Sequence, residues 1–135
     1  MDVSALKIAD TAAIHVKDAT GQPLYDGDKP VRIIVHSPGS RAFAAIESRQ
    51  SARTVKRMNE NDGKLTALTA EERLAETAED LSAITVRFEG LTYGDKSGSE
   101  LFEAVYGDPA LGFIAKQVAK AVSDWGNFKA ASPAV

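Results

Sequence analysis

The stretch from residue 97 to residue 128 constrains the fold most, because it carries start and stop signals for two consecutive helices. It reads SGSELFEAVYGDPALGFIAKQVAKAVSDWGNF and holds the single Trp and three of the five Phe residues. Ser97 and Glu100 have the spacing of a capping box, and Asp108 followed by Pro109 is typical of an N-cap and a first helical position. We therefore predict a helical hairpin. The buried face predicted for its second helix consists of Leu111, Ile114, Val118, Ala121, Val122 and Trp125.

Two short runs near the N-terminus indicate β-strands. Residues 13–17 alternate apolar and polar side chains, and residues 31–36 are rich in β-branched side chains. The turn-forming sequences DATG and DGDKP lie between the two runs. Strands this close in sequence predict an antiparallel hairpin. An isolated hairpin is marginal in water, so we expect it to pack on the rest of the chain.

The middle of the chain predicts two further helices. Ser40 is a suitable N-cap for a helix that ends near Met58. Thr69 and Glu72 form a second capping-box pattern before a helix that we extend to Gly90. Residues 84–88 are β-branched and would also suit a strand, but we assign them to this helix because its apolar stripe continues through them. That stripe consists of Leu74, Ala78, Leu81, Ile84 and Phe88.

These elements predict an α+β fold, with an N-terminal antiparallel β-hairpin followed by about four helices that form a small bundle. The chain has 135 residues, a usual size for one domain with its own core. We assign residues 1–135 to a single domain and expect residues 1–12 and 129–135 to be flexible ends.

Composition and motifs give no indication of catalysis. The chain has no cysteine, and it has no nucleophile elbow, Ser-x-x-Lys motif or phosphate-binding glycine loop. The net charge of −3 provides no general attraction to nucleic acid or to anionic membranes. No apolar run approaches the length of a membrane span, and the N-terminus does not resemble a secretory signal. We expect a soluble, cytoplasmic protein without catalytic residues, cofactor or metal.

The two histidines are the only candidate metal ligands worth weighing. His15 and His36 fall on neighbouring predicted strands, and Asp18 or Asp26 is available as a third ligand only nominally. We favour the simpler interpretation that both histidines are polar positions on an open strand face.

A basic stripe on the first predicted helix is the best candidate for contact with nucleic acid. Arg49, Arg53 and Arg57 are spaced by four residues, so they share one face and could follow a phosphate backbone. No aromatic residue is interleaved with them, and the next helix begins with a dense acidic run. Antiparallel pairing of the basic and acidic helices, or simple solvation, explains the stripe better than binding to nucleic acid.

Two aromatic residues lie off the main apolar stripes of the helical hairpin. We predict that Tyr106 and Phe113 contribute to an apolar patch that contacts a partner. Together with the arginine stripe, this gives five candidate partner-binding residues: Arg49, Arg53, Arg57, Tyr106 and Phe113.

The order of these parts resembles the small tail assembly chaperones and tail morphogenesis proteins of long-tailed phages and prophages. The resemblance extends over nearly the whole chain: a G-x-P-x-x-D-G segment, a Pro-Gly-Ser entry into a helix rich in Ala and Arg, the sequence RFEGL, and the ending already quoted. Phe88 stands where members of the family frequently have Trp. The matching positions are Phe88, Gly90, Leu91, Leu101, Tyr106, Asp108, Pro109, Gln117, Val118, Asn127 and Phe128.

The resemblance implies a non-catalytic role in phage tail assembly. Its implied partner is the tape-measure protein, or another tail protein, and the chain could also assemble with copies of itself. The implied location is the host cytoplasm during assembly. Two alternatives remain: a structural tail or neck protein that is retained in the virion, and, less favoured, a small nucleic-acid-binding regulator.

Overall fold

A computed structural model of the chain describes residues 1–64 and 67–129 and has the predicted α+β architecture. Strands near the N-terminus precede the first helix, and a further strand lies between the second and third helices. The strands are β1 (Thr11–His15), β2 (Tyr25–Asp26), β3 (Lys29–Pro30), β4 (Arg32–His36) and β5 (Thr85–Glu89). The α-helices are α1 (Arg41–Glu60), α2 (Ala70–Ile84), α3 (Gly98–Tyr106) and α4 (Gly112–Ser123).

The predicted N-terminal hairpin is confirmed, and its second strand is the centre of a three-stranded sheet. The strand order is β1-β4-β5, with both pairs antiparallel. Ala12 lies opposite Val35, and Ile14 lies opposite Ile33. Ile33 and Val35 are completely buried. The strands β2 and β3 form a separate small ribbon in the connection between β1 and β4.

The prediction that residues 84–88 continue the second helix is wrong. The helix α2 ends at Ile84, and Thr85–Glu89 pairs with β4. Arg87 lies opposite Ile34 and Thr85 lies opposite Val35, so Val86 is an extra residue in a β-bulge. The ladder with β4 gives β-branched residues a better environment than a further helical turn would.

The helices α2, α3 and α4 pack with the inner face of the sheet around one core. Ser40 and Thr69 cap α1 and α2 as predicted, and Thr69 and Glu72 form a complete capping box. The capping box predicted at Ser97 does not form, because Gly98 has a φ of +58° between the cap and the first turn. No α-helix in the described ranges is long and apolar enough to cross a membrane.

Both chain ends contact the core within the described residues. Residues 1–12, which we expected to be flexible, include a 3-10 turn at Val3–Leu6, the partly buried Ile8 and the start of β1. Phe128 is buried. Of the segment 129–135, only Lys129 lies in the described part of the chain.

The prediction that Trp125 is buried on α4 is also wrong. The helix ends at Ser123, and Asp124 starts a new 3-10 turn by accepting a hydrogen bond from the Gly126 N–H at 2.9 Å. This change of direction leaves the Trp125 side chain 57% exposed.

Candidate binding surface

The arginine stripe of α1 lies along the acidic face of α2, as the antiparallel pairing of the two helices predicts. Arg53 Nη2 donates to both carboxylate oxygens of Asp80 at 2.7 Å. Arg49 contacts Glu79 at 3.5 Å, and Arg57 is paired with Glu76. Arg49 and Arg53 contact Glu79 and Asp80, and Arg57, one turn further along α1, contacts Glu76, one turn earlier on α2, so the two helices run antiparallel. The three guanidinium groups are therefore engaged within the chain rather than forming an unopposed basic surface.

Arg53 is the centre of this network. Its side chain is 20% exposed, and that of Asp80 is 15% exposed. Burial lowers the pKa of Arg53, but the hydrogen bond and charge of Asp80, with the charges of Glu76 and Glu79, raise it by more. The net shift of the Arg53 pKa is upward, so this guanidinium is charged at neutral pH.

The contacts of α1 with the hydrophobic core lie near its beginning. Ile46 is the one buried residue of this 20-residue helix, and Phe43 is half-buried against the core. Toward the end of the helix Val55 is 55% exposed. Beyond its first three turns, α1 is held against α2 mainly through charged side chains, and such pairs are weaker than buried apolar contacts.

An apolar groove lies where α1, α2 and α4 meet. Its volume is about 290 Å³. Ala119 on α4 is exposed beside it, whereas Leu81, Ile84 and Val122 form its nearly buried floor. Polar groups stand among the lining residues, including Gln50, Thr77, Asp80 and Ser123. The apolar lining consists of Phe43, Leu81, Ile84, Ala119 and Val122. A groove of this kind can receive apolar side chains from a helix laid across it.

None of the residues that line the groove was predicted as a site residue. Among the groove's apolar residues, Leu81 and Ile84 belong to the predicted stripe of α2 and Val122 to that of α4, whereas Phe43 and Ala119 were given no role. The sequence feature that could have indicated the groove is the small number of apolar residues on α1. A helix with few apolar positions cannot cover its neighbours completely.

Tyr106 is a core residue, and its prediction as a surface contact is wrong for the folded chain. Its side chain is fully buried, and its hydroxyl lies 2.7 Å from Thr85 Oγ1. The ring also packs edge-on against Phe88, with 5.7 Å between ring centres. Phe113 is half-buried and packs against the core. The five predicted residues therefore do not form one patch: three lie on α1 and the other two on α3 and α4.

The two histidines do not form a shared site. His36 lies opposite Thr11 and His15 lies opposite Arg32, at the two ends of the β1–β4 ladder. His15 Nε2 donates to the Leu24 carbonyl at 2.8 Å, and its ring contacts Tyr25. Across residues 1–64 and 67–129, no three His, Asp or Glu side chains are grouped to hold a metal ion.

Comparison of the chain with protein-family models, with curated proteins and with solved structures gave no match.

Proposed function

We propose that this chain is a non-catalytic phage tail assembly chaperone that binds the tape-measure protein during tail morphogenesis. In this role it holds apolar helices of the tape-measure protein in the groove between α1, α2 and α4. It acts in the host cytoplasm before the tail tube polymerises.

The observation that carries this proposal is the apolar groove. Apolar helices of an unassembled partner need a surface that shields them from water, and burial stabilises them by about 25 cal/mol per Å² of apolar area. The groove offers Phe43, Ala119 and the floor of Leu81, Ile84 and Val122, with polar groups among them. This combination suits an amphipathic helix whose apolar side chains recur every three to four residues and enter the groove.

The attachment of α1 suits a groove that adapts to different helices. Only Ile46 anchors α1 in the core, and Arg49, Arg53 and Arg57 hold it to α2 through exchangeable ion pairs. A shift of α1 beyond Ile46 would open the groove at Gln50 and leave Ile46 in the core. A chaperone that binds many similar segments of one long partner requires such tolerance.

The resemblance to tail assembly chaperones supports the identity of the partner. It rests on the RFEGL segment, on the Tyr106-Gly107-Asp108-Pro109 junction and on Asn127-Phe128. Several of these residues have structural roles here: Asp108 caps the turn after α3, and Phe128 closes the core. These residues are the basis of the resemblance to the family, whereas the proposed activity depends on the groove.

Co-expression with the tape-measure protein from the same genome tests the proposal. We expect the chain to raise the soluble fraction of the tape-measure protein and to co-purify with it. Ala119→Glu places a charge at the groove without disturbing a buried side chain and should abolish both effects. Ala52→Glu is the matched control, because Ala52 is exposed on α1 and does not line the groove.

Two results would overturn the proposal. One is failure of the wild-type chain, folded by circular dichroism, to bind or solubilise the tape-measure protein. The other is the presence of the chain in mature particles at a fixed copy number, measured by mass spectrometry, which would support the structural tail or neck role instead.

A further inference from the structure

The free edge of the sheet along β1 presents unpaired backbone groups. Within residues 1–64 and 67–129, the only sheet neighbour of β1 is β4. The Ser37 N–H donates to the Asp10 carbonyl at 2.7 Å, and the Val16 N–H donates to the Val31 carbonyl at 2.9 Å. Successive residues of an antiparallel strand direct their N–H and C=O groups alternately toward and away from the paired strand. Residues 11–15, which lie between these two bonds, therefore alternate in this way relative to β4. The groups that point away belong to Thr11, Ala13 and His15.

Residues from the C-terminal part of the chain form hydrogen bonds at both ends of this open segment, residues 11–15. At one end, the Gln117 side-chain amide accepts from the Lys17 N–H at 2.8 Å and donates to the Lys17 carbonyl at 2.7 Å. A neighbouring strand would make the same two bonds. At the other end, the Ala9 N–H donates to the Phe128 carbonyl at 2.7 Å. No turn, loop or side-chain hydrogen bond among the described residues uses the backbone of Thr11, Ala13 or His15.

The two edges of the sheet differ in how they are protected against pairing. At β5 the edge carries the Val86 bulge and the charged residues Arg87 and Glu89. By contrast, β1 reads TAAIH, with no bulge, proline, lysine or carboxylate. Bulges and charges are the usual means by which sheets prevent edge-to-edge pairing. The edge at β1 lacks them.

We propose that β1 pairs antiparallel with β1 of a second copy of this chain, with Ala13 on the two-fold axis. In this register Thr11 of each copy lies opposite His15 of the other, and Ala13 lies opposite Ala13. Every outward-facing N–H and C=O of the open segment then has a partner. The segment is symmetric about Ala13 and ends where Gln117 and Phe128 already bond the chain, so a second β1 matches its length.

Side chains beside the edge fit the same arrangement. A cleft of about 560 Å³ lies next to β1 and is lined by Ile14, Ala121, Lys120 and Asp124, among others. Ile14 is only half-buried, whereas its partner Ile33 is fully buried. A second strand would cover Ile14.

Light scattering during size-exclusion chromatography of the full-length chain tests this interface. We expect the wild type to have twice the monomer mass at high protein concentration. Ala13→Pro removes an N–H that the β4 ladder does not use, so it should halve the mass and keep the circular dichroism spectrum. Ala13→Ser, which keeps the N–H, is the matched control and should remain dimeric.

A cysteine at position 13 gives a second readout that does not depend on tolerance of proline. Paired residues of this type have Cα atoms about 5.5 Å apart, which a disulfide can span. The natural chain has no cysteine, so Ala13→Cys should cross-link on oxidation, and Ser48→Cys on the exposed face of α1 should not. A wild type that is monomeric at every concentration, a dimer that survives Ala13→Pro, or equal cross-linking of the two cysteine variants would overturn the proposal.

Discussion

The Tyr106 hydroxyl joins three elements through a short chain of buried hydrogen bonds. Thr85 Oγ1 donates to the Leu81 carbonyl at 2.7 Å, so the Tyr106 hydroxyl donates to Thr85 Oγ1, also at 2.7 Å. The chain of bonds connects α3 to the point where α2 ends and β5 begins. Burial raises the pKa of the Tyr106 phenol.

We expect Tyr106→Phe to lower the free energy of unfolding by about 1 kcal/mol at pH 7. The substitution keeps the ring in the core and removes only the hydroxyl group that bonds Thr85. Urea denaturation followed by circular dichroism measures the loss. Tyr93→Phe is the control, because the exposed Tyr93 hydroxyl bonds Asp108 at the surface and its removal should cost less. Equal stabilities of wild type and Tyr106→Phe would contradict the assigned bond.

The same residue predicts how stability depends on alkaline pH. An exposed tyrosine has a pKa of about 10, and the folded chain raises the pKa of Tyr106 above that value. Below pH 10 both states keep the proton. Above it the unfolded chain loses a proton that the folded chain retains, so stability falls by up to about 1.4 kcal/mol per pH unit. Urea denaturation between pH 9 and pH 11 should therefore show a steeper fall for wild type than for Tyr106→Phe.

Single residues show where prediction from the sequence was limited. Phe128, one of the positions that carry the family resemblance, is buried in the core. Trp125 was expected on the apolar face of α4 but is exposed, because Asp124 redirects the chain before it. Tyr106 was expected at the surface because it was placed off the main apolar stripes, but it is buried and its hydroxyl bonds the distant Thr85. Such partners are far apart in sequence and are not visible in a local pattern.

At the scale of elements, the α1–α2 contact depends on charge. We expect Arg53→Met to lower the free energy of unfolding by about 1–3 kcal/mol at low salt, since it leaves a half-buried Asp80 without its main partner. In 1 M NaCl the loss should shrink, because salt screens the remaining attraction. Urea denaturation at both salt concentrations measures this difference.

The exposed pair between Lys56 and Glu60 provides the control for that experiment. Lys56→Met removes a cation from the same helix, but its side chain is 78% exposed and contacts Glu60 only at 4.0 Å. Lys56→Met should change the free energy of unfolding by less than about 0.5 kcal/mol. Equal losses for Lys56→Met and Arg53→Met would show that the α1–α2 network does not hold the helices together.

The turn after β5 depends on a glycine. Gly90 has a φ of +83°, and a Cβ atom there would lie 3.3 Å from Val31 Cγ2. Gly90→Ala should therefore lower the free energy of unfolding by about 1–3 kcal/mol through backbone strain and crowding. Gly94→Ala is the matched control, because Gly94 has a φ of +63° with no atom within 4 Å of the added Cβ. A larger loss at Gly94 would contradict the close packing of Gly90 on Val31.

Elements with strong local signals were predicted well. Ser40 and Thr69 each cap the helix that they were expected to begin, whereas Asp108 caps the 3-10 turn Pro109–Leu111 and α4 begins only at Gly112. The strand β5 was missed although its residues are β-branched, because the apolar stripe of the preceding helix continues in phase through Phe88. Its partner β4 is about 50 residues earlier, and only that pairing distinguishes the strand from another helical turn.

At the scale of the whole molecule, the fold is a sheet and three helices around one core, and α1 is attached by Ile46 and Phe43 near its beginning and by ion pairs beyond them. The sequence predicted the fold class and the pairing of basic and acidic helices. It could not predict the apolar groove, because Phe43, Leu81 and Ala119 come from three helices whose relative positions depend on tertiary packing. The proposed chaperone activity depends on this joint surface rather than on any single motif.

The most direct test of the groove is a methyl NMR titration with a synthetic apolar helix from the tape-measure protein. Saturable shifts should concentrate on the methyl groups of Leu81, Ile84, Ala119 and Val122, and Ala119→Glu should abolish them. Methyl groups remote from the groove, such as those of Val31 and Val35, should shift little. Absence of saturable shifts in the folded wild-type chain, or shifts confined to residues outside the groove, would contradict the proposal that it binds the tape-measure protein there.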